Sequence, residues 1–240
     1  MSKVLIHGAG YGARCWDRLL PHLEGDVLAV DLPGRGTRAD IALGDVSVAM
    51  CADAVRDDIV AHDLHDVVLV GHSMAGIVVP RVVELAPERI RNIVLVSAVI
   101  PPHGTRVLDG IDPDVRASVE AAISEGVYTQ SEEANVMMLC NDLDDEASAW
   151  VLERVVDDAA ALLSEPVDLT GYSRGIPTVY VRLDLDCCVP PDVQQDAQAR
   201  AGAEAVHIEA GHMVMVGQPR RLADVLNRLD SPTGREAGSA

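Results

Sequence analysis

Phenylalanine is absent from this 240-residue sequence, and the aromatic residues together make up 2% of it. Any pocket the chain forms must therefore be lined largely by aliphatic side chains and methionine. Lysine is almost missing as well, with Lys3 standing alone. Long apolar runs do not occur. Val67 to Val70 and Ile93 to Val96 are typical, far below the ~20 residues that a membrane-spanning helix needs. Met1-Ser2-Lys3 leads directly into Val4-Leu5-Ile6 without a signal-peptide pattern, so a cytoplasmic location is expected. The cysteines are five, an odd number, and none of them forms a zinc-type spacing with histidine. Free, mostly buried thiols follow, and no metal or cofactor is expected. The nearest metal-like run, His62-Asp63-Leu64-His65, reads more simply as a polar helix end. Positive charge is scarce: 19 Lys and Arg face 38 Asp and Glu, for a net charge of −19. Such a surface repels phosphate backbones and anionic lipid, which excludes nucleic acid and membrane as expected partners. Small neutral and anionic substrates both stay open.

What is present is a globular composition, 48% hydrophobic and 24% charged. Short β-branched runs alternate with stretches of helical period, the pattern of a mainly parallel sheet covered on both faces. The expected strands are Lys3–His7, Asp26–Asp31, Val67–Val70, Ile93–Ser97, Thr178–Arg182 and Ala205–Glu209. The expected helices are Ser47–Leu64, with Ser47 as N-cap, then Ala75–Leu85, Asp192–Ala201 and Pro219–Leu229. Pro80 falls inside the second and should kink it. From Pro101 to Gly175 the strand rhythm stops, and Pro113–Glu125, Glu132–Leu139 and Asp145–Leu163 read as helices. The expected organisation is an α/β core over 1–100 and 176–230, a helical cap insertion over 101–175, and a flexible tail over 231–240. Such an insert usually lies over the carboxyl edge of the sheet, where ligands bind.

The chemistry concentrates at Val67-Val68-Leu69-Val70-Gly71-His72-Ser73-Met74-Ala75-Gly76, a buried strand, a G-x-S-x-G turn and a helix. Side chains at the glycine positions would collide with the neighbouring strand and helix. The turn projects the Ser73 hydroxyl at the sheet edge, and the Met74 N–H points into the same space. A hydroxyl needs a base to attack an ester at neutral pH, and the base needs an acid to orient it. Of eight histidines, His212 alone follows the last expected strand, in the loop Glu209-Ala210-Gly211-His212 before the final helix. Past the strand Val179-Tyr180-Val181-Arg182 stand two carboxylates, Asp184 and Asp186. Asp186 falls clearly on the loop and is preferred; Asp184, nearer the strand end, stays the alternative.

The segments Ile6-His7-Gly8-Ala9-Gly10-Tyr11-Gly12-Ala13-Arg14-Cys15-Trp16 and Val30-Asp31-Leu32-Pro33-Gly34-Arg35-Gly36 resemble the α/β-hydrolase family. The likeness runs from Val4 to about Leu229 and is greatest to the branch of plant methylesterases, hydroxynitrile lyases and pyrethroid-type esterases. It implies the α/β-hydrolase fold, a second oxyanion donor at Ala9, Asp186 as the acid, and a homodimer. Lyases of the branch carry Thr after the first-loop histidine and Lys after the catalytic one; here those positions are Gly8 and Met213. The resemblance thus favours a serine esterase acting on small carboxylic esters over cyanohydrin cleavage. A hydrolase-fold receptor that binds without turnover is the non-enzymatic alternative. Gly8-Ala9-Gly10-Tyr11-Gly12-Ala13 with Asp31 also fits a dinucleotide fingerprint, but His7 and Pro33-Gly34 belong to the hydrolase pattern.

Overall fold

The computed structural model describes residues 1–229; the expected tail, 231–240, lies outside them. The chain opens with β1 (Ser2–Ile6) and β2 (Asp26–Val30), then α1 (Val48–Ala61). Ser47 caps α1 by accepting the Met50 N–H at 3.1 Å, as its residue type and position predict. β3 (Val67–His72) runs into a 3₁₀ turn over Ser73–Ile77, followed by α2 (Val79–Leu85) and β4 (Ile90–Val96). The single helix expected over Ala75–Leu85 is therefore two pieces. Pro80 stands in the first turn of α2, where a missing N–H costs no hydrogen bond, so it starts a helix and does not kink one.

The insertion holds α3 (Pro113–Ala121), β5 (Ile123–Ser124), β6 (Val127–Tyr128), α4 (Glu132–Leu139), α5 (Asp145–Leu152), β7 (Asp158–Ala159) and α6 (Ala161–Ser164). It is thus mixed, where helices alone were expected. The helix expected to reach Glu125 stops at Ala121, because Glu125 and Gly126 take φ of 51° and 79° and turn the chain into a β5–β6 hairpin. The helix expected to reach Leu163 stops at Leu152, and Asp158–Ala159 joins that hairpin as its third strand. After it come β8 (Thr178–Leu183), α7 (Pro191–Ala201), β9 (Glu204–Ile208), α8 (Val214–Gly217) and α9 (Pro219–Arg228).

The six long strands form one parallel sheet in the order β2-β1-β3-β4-β8-β9. Side chains alternate between its faces. Val4, Ile6, Leu69, Ile93 and Leu95 pack with α1 and α2, whereas Leu5, Val68, Val70, Val94 and Val96 pack with Trp16 and α9. Both faces are dry along the central strands β1, β3 and β4, which is why those strands read as continuous apolar runs. All strands point the same way, so the loops after β1, β3, β4, β8 and β9 emerge at one edge. The insertion lies over that edge. Val156 N–H donates to Gly10 O at 2.9 Å, Asn141 Nδ2 to Leu185 O at 2.7 Å, and Gly211 N–H to Asp142 Oδ2 at 2.6 Å.

Candidate active site

Ser73 follows β3 with φ of +52°, a left-handed conformation that costs a non-glycine residue about 1–3 kcal/mol. The turn is held shut from outside. The Val99 N–H donates to Ser73 O at 2.8 Å, and a Cβ on Gly71 would stand 2.7 Å from the Val79 side chain. A Cβ on Gly76 would run into the Val99 carbonyl, so both motif glycines are forced by close approach. The loop after β1 lies directly against the serine: a Cβ on Gly8 would be 2.8 Å from Ser73 Cβ. Ser73 keeps 7% exposure at the floor of this edge.

His212 follows β9 in the loop that leads into α8, and Asp186 follows β8. Each is 3% exposed, and His212 Nδ1–H donates to Asp186 Oδ2 at 2.7 Å. That bond leaves Nε2 as the nitrogen able to take up a proton. Asp186 also accepts the Ser97 hydroxyl at 2.7 Å, Cys188 N–H at 2.7 Å and Val189 N–H at 2.9 Å. Burial alone would push the Asp186 carboxyl up, but the His212 charge and these hydrogen bonds outweigh it and hold it below its ordinary value. Burial likewise favours neutral His212, yet the Asp186 carboxylate, with a smaller push from Cys188, raises the imidazole well above 6.5. Asp184, the alternative acid, instead pairs with His207 at 2.9 Å, and both of those side chains are substantially exposed.

Three groups escaped the sequence reading. Ser97, at φ of 41° just past β4, braces Asp186. His72 donates from Nε2 to the His212 carbonyl at 3.0 Å, and the two rings are 4.6 Å apart. Burial pushes His72 down to about 3 and His7 to about 4, so both are neutral near pH 7. The third is Asp158, on β7, which reaches Gly10 from the insertion. Serines and histidines of these kinds give no local signal; only their partners from other loops mark them.

Other expectations meet specific surroundings. Asp31 spends its carboxylate inside the protein, on Ala13 N–H at 2.7 Å and on Thr37 N–H at 2.9 Å and hydroxyl at 3.1 Å. It braces the glycine loop, a role at odds with binding a ribose. Of the larger apolar side chains in the insertion, Met137 is 61% exposed and turned to solvent. Leu139 is core, and Met138 and Trp150 pack against the same apolar cluster. Cys15, Cys51 and Cys140 are buried thiols, Cys188 is half-buried and Cys187 exposed. Among the described residues no group of three or more His, Cys, Asp or Glu could hold a metal ion.

Residues 4–225 match the model of the alpha/beta hydrolase family, and the chain belongs to that family. One relative is a carbendazim hydrolyzing esterase of Nocardioides sp. (strain SG-4G), 28% identical over 94% of this chain and 98% of its own length. Another is putative methylesterase 12, chloroplastic, of Arabidopsis thaliana, 26% identical over 93% of this chain and 70% of that protein. Among solved structures, an extracellular alpha/beta-hydrolase from a Paenibacillus species superposes with a TM-score of 0.87 at 24% identity, covering 95% and 98% of the two chains. A pyrethroid hydrolase, PytH, superposes with a TM-score of 0.79 at 20% identity over 98% and 99%. These neighbours carry the same fold and fall in the branch that the glycine-loop segments resemble. The esterase names among the relatives accord with the expectation of an ester hydrolase.

Proposed function

We propose that this protein is a carboxylic ester hydrolase working through Ser73, His212 and Asp186. The observation that carries the reading is the buried His212–Asp186 ion pair, at 2.7 Å, set at the same sheet edge as a serine in a left-handed turn. His212 takes the Ser73 proton as Ser73 Oγ attacks the ester carbonyl. The Ala9 and Met74 N–H groups receive the oxyanion, each typically worth about 2.7–4 kcal/mol in the barrier. Asp186 stabilises the imidazolium, which then protonates the leaving alcohol. Water repeats the attack and releases the acid from the acyl-enzyme.

The insertion acts in this reading as a cap, closing over Ser73 and limiting the ester to small groups. Cyanohydrin cleavage is disfavoured because Met213, buried and uncharged, follows His212, and the one lysine donates to Glu24 O at 2.8 Å, on β1 away from the carboxyl edge. Among the described residues no helix is long and apolar enough to cross a membrane. A cytoplasmic homodimer completes the proposal, with light scattering on the purified protein to test the assembly.

The primary test compares wild type with Ser73→Ala on p-nitrophenyl acetate, butyrate and octanoate. Turnover by wild type that falls to background in Ser73→Ala supports the reading, and the chain-length trend measures the pocket. Inertness of wild type on all three esters would remove it, leaving ligand binding without turnover as the use of this site.

A further inference from the structure

The oxyanion loop after β1 is not held by the core alone. Gly10, at φ of +71°, is gripped at both peptide groups by the insertion. Its N–H donates to Asp158 Oδ2 at 2.6 Å, and its carbonyl accepts the Val156 N–H at 2.9 Å. Asp158 is 3% exposed and Arg35, from the loop after β2, is 2% exposed; the two form an ion pair inside the protein. Arg35 Nη1 also donates to Pro33 O at 2.7 Å, and the Ala159 N–H donates to Asp158 Oδ1 at 2.6 Å. The Asp158 carboxylate is thus aimed by Arg35 and by its own strand, and one of its oxygens is committed to Gly10.

From this geometry we infer that Asp158 is a positioning residue for the oxyanion hole, so that the insertion completes the hole and does not merely cover it. The inference rests on the ester-hydrolase reading, in which the Ala9 N–H is an oxyanion donor. Ala9 sits between Gly8, pressed against Ser73, and Gly10, clamped by Asp158 and Val156. Only two soft dihedrals per residue separate the Ala9 N–H from that clamp, so releasing Gly10 releases the direction of the donor. Glycine at position 10 offers no side-chain restraint of its own, which makes the external clamp necessary. Arg35 sets the orientation of the carboxylate and neutralises it in a site that water does not reach.

Removing Asp158 alone would strand a buried arginine and could unfold the protein, so the test uses paired variants without that charge. Arg35→Met/Asp158→Asn keeps an oxygen for the Gly10 N–H. Arg35→Met/Asp158→Leu has nearly the same shape and lacks it. The expected result is a kcat for the Leu pair about 10- to 100-fold below the Asn pair, the scale of a misplaced catalytic group, with KM unchanged within about twofold. Hydrogen exchange at the Gly10 amide should accelerate in the Leu pair and stay slow in the Asn pair. Equal kcat in the two pairs, or equal Gly10 exchange, overturns the inference. If wild type hydrolyses no ester, the esterase reading falls by itself, and labelling of Ser73 by a fluorophosphonate, whose phosphoryl oxygen needs the same donors, decides the positioning role. Slower labelling of the Leu pair sustains it, and equal labelling overturns it.

Discussion

At the scale of single residues, the site is governed by one charge in a place water cannot reach. Asp186 holds four hydrogen bonds on two oxygens and, through them, fixes which nitrogen of His212 is free. As the base of the proposed reaction His212 acts only when neutral, so kcat/KM should rise with pH through the imidazole pKa, which the Asp186 carboxylate lifts above 6.5. Asp186→Asn should lower kcat by roughly 10⁴-fold, as when a triad loses the correct tautomer, and should move the acid limb of the profile to lower pH. Asp184→Asn, which breaks an exposed pair with His207, should leave kcat within about twofold; pH–rate profiles of both variants check this. Ser73, His212 and Asp186 were legible as candidates because each sits beside a turn or strand end with its own local pattern. Ser97 and His72 were not, because their partners lie 89 and 140 residues away.

At the scale of elements, the central strands of the sheet announce themselves because both of their faces are dry, whereas the insertion's strands are two residues each, too short to show a period. Helix α5 ends at Leu152, and the chain beyond it bonds to Gly10 through Val156 and Asp158, a long-range pairing that local helical period does not reveal. Pro80 illustrates the opposite case. Its ring is compatible with the first turn of α2, so Pro80→Ala should change stability by no more than about 1 kcal/mol, through the unfolded chain. Val83→Pro, in the second turn and in the core, should cost about 3 kcal/mol or more. Chemical denaturation of the two variants side by side distinguishes a helix start from a helix interior.

At the scale of the whole molecule, two neutral histidines buried beside the site make the fold sensitive to acid. His7 and His72 have folded-state values near 4 and 3, below the 6.5 of an exposed imidazole. Below pH 6.5 the unfolded chain takes up protons that the folded chain refuses, so stability falls as pH falls. Each histidine contributes about 1.4 kcal/mol per pH unit until its own folded value is reached. His212 works in the other direction: its pairing with Asp186 stabilises most below 6.5 and is lost as pH rises through its raised value. Urea midpoints between pH 7 and 4 should therefore drop steeply, and His72→Gln should flatten the slope by about one proton.

Short-range physics is written in the order of the residues. A strand, a glycine-flanked serine and a helix in succession specify a tight turn that carries the serine to the sheet edge, continuous apolar runs specify strands buried on both faces, and the acidic residues outnumber the basic ones by 19. The folded chain adds what depends on closure in space. It paired Asp186 with His212 and Asp184 with His207, turned Asp31 inward to brace a glycine loop, and set Asp158 against Gly10 across 148 residues. The physical reason is the same in each case: a carboxylate's role follows from the donors around it once water is gone, and those donors come from loops gathered at one edge only when the sheet has formed.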